Sequence, residues 1–238
     1  MIELGDIVRI NKMLSNLGIC SRKEAARYIE DGRVKVNGVL SIPGQWVEES
    51  DEILIDDEPV SAREKVYIAL NKPVGITCTA EKNVENNIID YMNYKQYIFP
   101  VGRLDKPSQG LIILTNDGVL ANKILESENE HEKEYIVTLD KPYDDEFIKG
   151  MSNGVEICGQ VTRPCKVFRV NENTFRIILT QGLNKQIRRM SKVFGYNVVK
   201  LERIRIINIT LDGIKYGEYR YITEDEINEM IKLTQNNC

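Results

Sequence analysis

PVGRLDKPSQGLIIL, residues 100–114, sets one carboxylate, Asp105, between two cations, Arg103 and Lys106, in a stretch dense with turn formers. The stretch then runs into an apolar strand. Gly102, Pro107, Ser108 and Gly110 restrict the backbone to tight turns, which hold Asp105 out from the chain that follows. Read alone, such an aspartate is equally a turn residue bonding its own backbone. Its meaning depends on what the rest of the chain brings near it.

Outward from this turn, five β-branched or apolar runs read as strands: Val66–Leu70, Leu111–Leu114, Tyr135–Leu139, Phe175–Leu179 and Ile204–Ile209. Helical spacing falls over Val119–Leu125, Asp144–Met151, Asn184–Phe194 and Thr223–Leu233, the last opening on a capping box from Thr223 to Glu226. Strands and helices alternate without regular order, so the expected class is α+β with a mostly antiparallel central sheet. Within this region QGLNKQIRRM, residues 181–190, turns from loop to helix and carries adjacent arginines that cannot both face a core. In KEY, residues 133–135, an aromatic residue sits at the start of an apolar strand, and Tyr135 there reads equally as core.

The N-terminal region is patterned differently. Ile10, Met13, Leu14 and Leu17 have helical spacing and Gly18 stops the run. Ser21-Arg22-Lys23-Glu24 is a capping box for a second helix that ends at Gly32. Val34-Lys35-Val36 then leads into Asn37-Gly38, a hairpin signal, ahead of Val39 and Leu40. Two short helices followed by small strands with basic residues form a compact RNA-binding candidate. The acidic, proline-containing segment from Asp56 to Arg63 reads as a linker, with domains expected over residues 5–62 and 64–238.

Composition narrows the classes. With 238 residues, 42% hydrophobic and 29% charged, the chain can bury a sizeable core. It has no apolar run long enough for a bilayer, and its start lacks a secretory layout, so the expected location is the cytoplasm. Cys20, Cys78, Cys158, Cys165 and Cys238 are odd in number and form no CxxC pair, which favours reduced thiols. His131 is the single histidine, a poor basis for a multi-histidine metal site. A net charge of −4 does not announce a nucleic-acid binder, but Arg22, Lys23, Arg27, Arg33 and Lys35 cluster, as do Lys185, Arg188, Arg189, Lys192, Lys200, Arg203 and Arg205. Two basic patches on an acidic chain point to directed contacts.

RINKMLSNLGICSRKEAARYIEDGRVKVNG, with DEILID following, resembles the S4 domain, which implies binding to structured RNA. The resemblance makes Arg22, Lys23, Arg27 and Lys35 phosphate contacts. NKPVG at residues 71–75, GRLDKPSQGL, KEY and QGLNKQIRRM together resemble the pseudouridine synthases of the branch that acts on ribosomal RNA and carries an N-terminal S4 domain. HEKEY, GLNKQIRRM and LERIRI look most like the large-subunit enzymes of that branch. The resemblance implies that Asp105 is the essential aspartate, that Tyr135 stacks on the target base and that Arg188 pairs with Asp105. It gives Arg103 the gap left by the extruded nucleotide and Ile187 a packing place beside the site. Leu104, Lys106, Lys185 and Gln186 fall in the same substrate-contacting segments. Lys185 and Pro107 depart from the usual family residues; lysine keeps the charge but loses the planar fork.

The implied chemistry breaks the bond from N1 to C1′, turns the uracil and rejoins it through C5, with no net redox change, so no cofactor is expected. Bond rupture builds positive charge on the sugar, which a carboxylate stabilises or captures. The expected partner is large-subunit ribosomal RNA, with transfer RNA possible as a second substrate, and the expected form is a monomer without membrane association. The competing readings are a synthase for small-subunit or transfer RNA, a non-catalytic ribosomal RNA-binding assembly factor, and, more distantly, a hydrolytic glycosidase lacking a second carboxylate.

Overall fold

The computed structural model describes residues 7–81, 83–125 and 130–235. Cys238 and the outer ends of both expected domains, residues 5, 6 and 236–238, lie outside the described residues. The chain divides into two compact units. One is built on the residues up to Val66 with Tyr94–Phe99 and Thr115–Ala121, the other on Tyr67–Asn93, Pro100–Leu114 and the chain from Asn122 onward.

The first unit runs β1 (Val8–Arg9), α1 (Ile10–Asn16), α2 (Arg22–Glu30), β2 (Val34–Val36), β3 (Val39–Leu40), β4 (Trp46–Val47), β5 (Ile53–Ile55) and β6 (Glu58–Pro59). α2 begins where the sequence places it: Ser21 Oγ accepts the Glu24 N–H at 3.0 Å, satisfying one of the free amides of the first turn. Asn37 and Gly38 both take positive φ, 50° and 80°, the geometry that joins β2 to β3 without splaying the strands. Ile10, Leu14, Ala25 and Val34 are fully buried in a core shared with Ile29, Val47 and Ile53. Truncating Leu14 to alanine there costs about 2–5 kcal/mol.

The expected linker from Asp56 to Arg63 begins inside this unit. Asp56 and Asp57 form a turn at φ 52° and 66°, and β6 returns to pair antiparallel with β5. The acidity that reads as a solvated connector neutralises the basic residues of β2 and its approach. Arg33 donates to both oxygens of Asp56 at 2.8 and 2.5 Å, and Lys35 Nζ lies 2.5 Å from Asp57.

From there the chain continues through β7 (Tyr67–Lys72), α3 (Ile88–Met92), β8 (Phe99–Pro100), β9 (Gln109–Thr115), α4 (Gly118–Leu125), β10 (Lys133–Leu139), α5 (Asp145–Ser152), β11 (Glu156–Ile157) and β12 (Gln160–Val161). It ends with β13 (Lys166–Arg169), β14 (Thr174–Leu179), α6 (Gln186–Val193), β15 (Val198–Ile206), β16 (Ile209–Thr210), β17 (Tyr219–Tyr221) and α7 (Glu224–Gln235). The main path of a nine-stranded sheet follows the order β13, β14, β10, β15, β9, β7, β17. Antiparallel pairing dominates, as expected for the α+β class, and β9 runs parallel to β15.

Two local features set the site. Between β10 and β15 the register slips, so that Glu134 faces Arg205 while Tyr135 faces Arg203, leaving Ile204 as the extra residue of a β-bulge. The bulge breaks the period-two alternation and sends Arg203 and Arg205 to opposite faces. Arg205 joins Glu134 and Glu132 on one face, at 2.7 and 2.8 Å. The second feature corrects an expectation: of the strand expected from Ile204 to Ile209, residues 204–206 are the end of β15, which begins at Val198, and the run is interrupted after Ile206. Ile207 adopts φ 54°, its N–H bonding Glu132 O at 2.9 Å, and the chain reverses so that β16 pairs back on β15.

Candidate active site

The second unit carries a cleft of about 610 Å³, a size suited to one bound nucleotide. Its walls come from five places: the turn before β9, the loop after β7, the C-terminal end of α4, the central strands β10 and β15, and the segment from β14 into α6. Asp105, Tyr135 and Arg188, far apart in sequence, all line it, as do Arg103, Leu104, Lys106, Lys185, Gln186 and Ile187. Arg22, Lys23, Arg27 and Lys35 belong to the other unit. Arg22, Lys23 and Arg27 are exposed on α2, whereas Lys35 is engaged by Asp57.

Asp105 stands at the head of a closed turn, with Ser108 N–H donating to Asp105 O at 2.9 Å. The next backbone is fixed as well: Gly75 N–H donates to Lys106 O at 2.8 Å, and Leu104 N–H donates to Cys78 Sγ at 3.4 Å. The carboxylate is therefore half-buried on a stiff bend, while Arg103 and Lys106 beside it are exposed. Beyond the turn, Gly110 (φ 105°) meets Arg203 across the parallel pair, and a Cβ on it would lie 2.3 Å from Arg203 O. No side chain fits there, which explains a glycine as the second residue of β9.

Arg188 projects from α6 and ties three segments together. It donates to Val198 O at 2.9 Å, to Ser108 Oγ at 3.0 Å and to Pro107 O at 3.4 Å. No direct ion pair with Asp105 forms within 4.0 Å among the described residues; the guanidinium grips the far side of the aspartate turn and acts on the carboxylate through space. Burial lowers the Arg188 pKa and the charge of Asp105 opposes that fall. Tyr135, largely buried, lies on β10 opposite Arg203 with part of its surface in the cleft.

Sequence reasoning placed Arg203 in a basic patch and Lys133 and Lys72 in motifs, but gave none of the three a role in the site. Lys133 shares the Tyr135 face of β10 and lines the cleft. Burial, reinforced by repulsion from Arg203, pushes its amine down to about 8. Arg203 is 3% exposed, with its Nε donating to Leu111 O at 2.7 Å. Lys72, of the NKPVG stretch, is fully buried and donates to Pro73 O and Ile76 O at 2.8 and 2.9 Å. Burial lowers its pKa, with Cys78 and Asp105 acting in the opposite sense and Arg203 in the same sense. The available signal was strand parity, which puts residue 133 on the face of residue 135.

A half-buried carboxylate on a rigid turn, an aromatic side chain in the same cleft and an arginine that fixes the turn are the parts needed to hold an extruded base and act on its glycosidic carbon. Such a site on a mixed sheet, in a chain that also carries a small N-terminal module with a cluster of basic residues, defines an RNA-modifying isomerase.

The comparisons place it. The chain belongs to the RNA pseudouridylate synthase family, whose model matches residues 66–192, and an S4 domain matches residues 8–53. It is 54% identical over 232 residues to the "Dual-specificity RNA pseudouridine synthase RluF" of Escherichia coli K12, covering 96% of this chain and 80% of that protein. It is 30% identical over 237 residues to the "Ribosomal large subunit pseudouridine synthase B" of Bacillus subtilis 168, covering 96% and 97%. Among solved structures, a pseudouridylate synthase at 30% identity superposes with a TM-score of 0.70 over 94% of this chain and 99% of its own.

Proposed function

We propose that this pseudouridine synthase isomerises a specific uridine of large-subunit ribosomal RNA, with residues 5–62 acting as the RNA-binding domain and 64–238 as the catalytic domain. The observation that carries the reading is the convergence of Asp105, Tyr135 and Arg188 in one cleft. In this reading the RNA docks its phosphates on Arg22, Lys23 and Arg27, and on Lys35 once Asp57 is displaced. The target uridine leaves its helix and Arg103 fills the vacated place, at an unstacking cost of a few kcal/mol. Tyr135 receives the base on its ring.

Asp105 faces the ribose. When the N1 to C1′ bond breaks, its charge stabilises or captures the electron-deficient C1′, and Arg188 keeps the turn that aims it. The ring turns, C5 bonds to C1′, the C5 proton is lost with Tyr135 assisting, and N1 gains a proton. Leu104, Lys106, Lys185, Gln186 and Ile187 shape the walls. The enzyme works as a cytoplasmic monomer; among the described residues no helix is long and apolar enough to cross a membrane.

Relatives named for the large ribosomal subunit and for dual specificity support ribosomal RNA as the main substrate and leave room for transfer RNA as a second. Pseudouridine mapping of ribosomal and transfer RNA from cells with and without the gene tests this. The expected result is loss of one or a few large-subunit sites, restored by the wild-type gene. An unchanged large-subunit map would overturn the assignment, and losses confined to small-subunit or transfer RNA would redirect it.

A further inference from the structure

Two cations in the cleft have no part in the account above. Lys133 and Arg203 lie on adjacent central strands beside Tyr135, which faces Arg203 across the pair and follows Lys133 by one alternation on the same face of β10. Arg203 is almost fully buried, yet its Nη2 has no hydrogen-bond partner. Lys133 carries three donors and uses one, in a long 3.4 Å bond to His131 O. Neither cation forms an ion pair among the described residues, because alternation along β10 turns Glu134 to the other face and the bulge at Ile204 puts Arg205 there with it. Desolvating two positive groups without a carboxylate is costly, and buried charge normally has a compensating partner. An anion entering the cleft supplies one.

We propose that Lys133 and Arg203 form a cationic seat for the uracil ring, donating to its carbonyl oxygens O2 and O4 while the detached base carries negative charge. The inference rests on the pseudouridine synthase reading and adds a second role to the same cleft. When the N1 to C1′ bond breaks, its electron pair stays on the ring, and the charge spreads over N1, O2 and O4. Two donors fixed beside the stacking tyrosine lower the energy of that anion and keep it from escaping while it turns to present C5. A backbone phosphate fits this place less well, since the exposed cations Lys106 and Lys185 stand at the cleft for phosphates while Lys133 is half-buried and Arg203 buried beside the base platform. Among the described residues, the charged and titratable groups that line the cleft with Lys133 are Arg203 on β15, Tyr135 on β10, Asp105, Arg103 and Lys106 on the turn, Lys185 and Arg188 at α6 and Cys78 after β7, and His131, whose carbonyl accepts from Lys133, lies just before β10.

The test is single-turnover tritium release from a large-subunit ribosomal RNA transcript labelled at uridine C5, with full-length wild type, Lys133→Met, Lys133→Arg and Arg203→Lys, between about pH 6.5 and 9. Wild type should lose rate as the pH passes about 8, where Lys133 sheds its proton. Lys133→Met should be slower by about 10²-fold at saturating enzyme with RNA affinity within about twofold, and Arg203→Lys should be intermediate. Lys133→Arg should recover much of the rate and lose the alkaline fall, because arginine stays charged throughout. Should Lys133→Met fail to fold, the pH profile of Lys133→Arg decides. Wild-type rate in Lys133→Met, a loss of RNA affinity alone, or an unchanged alkaline fall in Lys133→Arg would each overturn the seat. Absence of release by wild type would instead bring down the synthase reading beneath it, so the two failures are distinguishable.

Discussion

Replacing Gly110 by alanine adds one carbon, at the point where the catalytic turn meets the centre of the sheet. That Cβ would lie 2.3 Å from Arg203 O and 2.7 Å from Arg203 N. Since C···O contacts normally settle near about 3.3 Å, the β15 backbone must retreat by roughly 1 Å. Both neighbours are backbone atoms in a paired strand and cannot swing aside. Forced packing of this kind costs about 1–3 kcal/mol. Holding a non-glycine residue at φ 105° adds about 1–3 kcal/mol. A sum of roughly 2–6 kcal/mol corresponds to about 4–24 °C in melting temperature for a chain of this size. Because the retreat moves Arg203 and tilts the turn carrying Asp105, turnover should fall about 100-fold even well below the melting point. Thermal melts followed by circular dichroism, with tritium release at low temperature, check both effects. A Gly110→Ala protein melting within about 1 °C of wild type and turning over normally would refute the close-approach argument.

Arg188→Leu removes the donors that join α6 to Ser108, Pro107 and Val198, so activity should fall to background with about 2–4 kcal/mol lost in denaturant unfolding; wild-type turnover would defeat its positioning role. Tyr135→Phe keeps the ring and removes the hydroxyl, so RNA affinity should persist while C5 proton release slows by about 10-fold or more; unchanged release would leave Tyr135 as a platform only. Arg220, with help from Thr223, holds Glu226 down to about 2 from its ordinary 4.5. Its folded pKa is depressed, so the capping box is at full strength above about 4.5 and weakens as pH falls toward about 2. Glu226→Gln should therefore cost about 1 kcal/mol at pH 7 and little at pH 2, as read by pH-dependent melts.

The parts of the fold legible in the sequence are those governed by neighbours along the chain. Ser21 and Glu24, Asn37 and Gly38, and Thr223 and Glu226 form caps and turns from residues within three of one another. What escaped depends on long-range pairing. The bulge at Ile204 exists only because β10 and β15 slip in register, so alternation could not separate Arg203 from Arg205. The turn at Ile207 places a β-branched residue at positive φ, against its intrinsic preference, so the run from Ile204 to Ile209 reads as one strand. Asp56 and Asp57 read as linker because their partners, Arg33 and Lys35, lie more than twenty residues away. β13, β17 and α3 were missed as well; they are short, and β17 owes its place at the sheet edge to pairing with the distant β7.

The site divides the same way. Motifs named Asp105, Tyr135 and Arg188, and the fold puts all three on one cleft. Its orienting contacts were not legible: the Arg188 bond to Ser108 spans eighty residues, and Lys133 and Arg203 become notable only once the fold sets both in the cleft and leaves Arg203 Nη2 without a hydrogen-bond partner.

The most direct measurement is tritium release from C5-labelled large-subunit ribosomal RNA by wild type and by Asp105→Asn, each shown to be folded and to bind the RNA. The amide matches the carboxylate in shape and removes only its charge and nucleophilicity. Release by wild type, with none by Asp105→Asn at equal RNA affinity, is the predicted result. Release by Asp105→Asn at the wild-type rate would contradict the account.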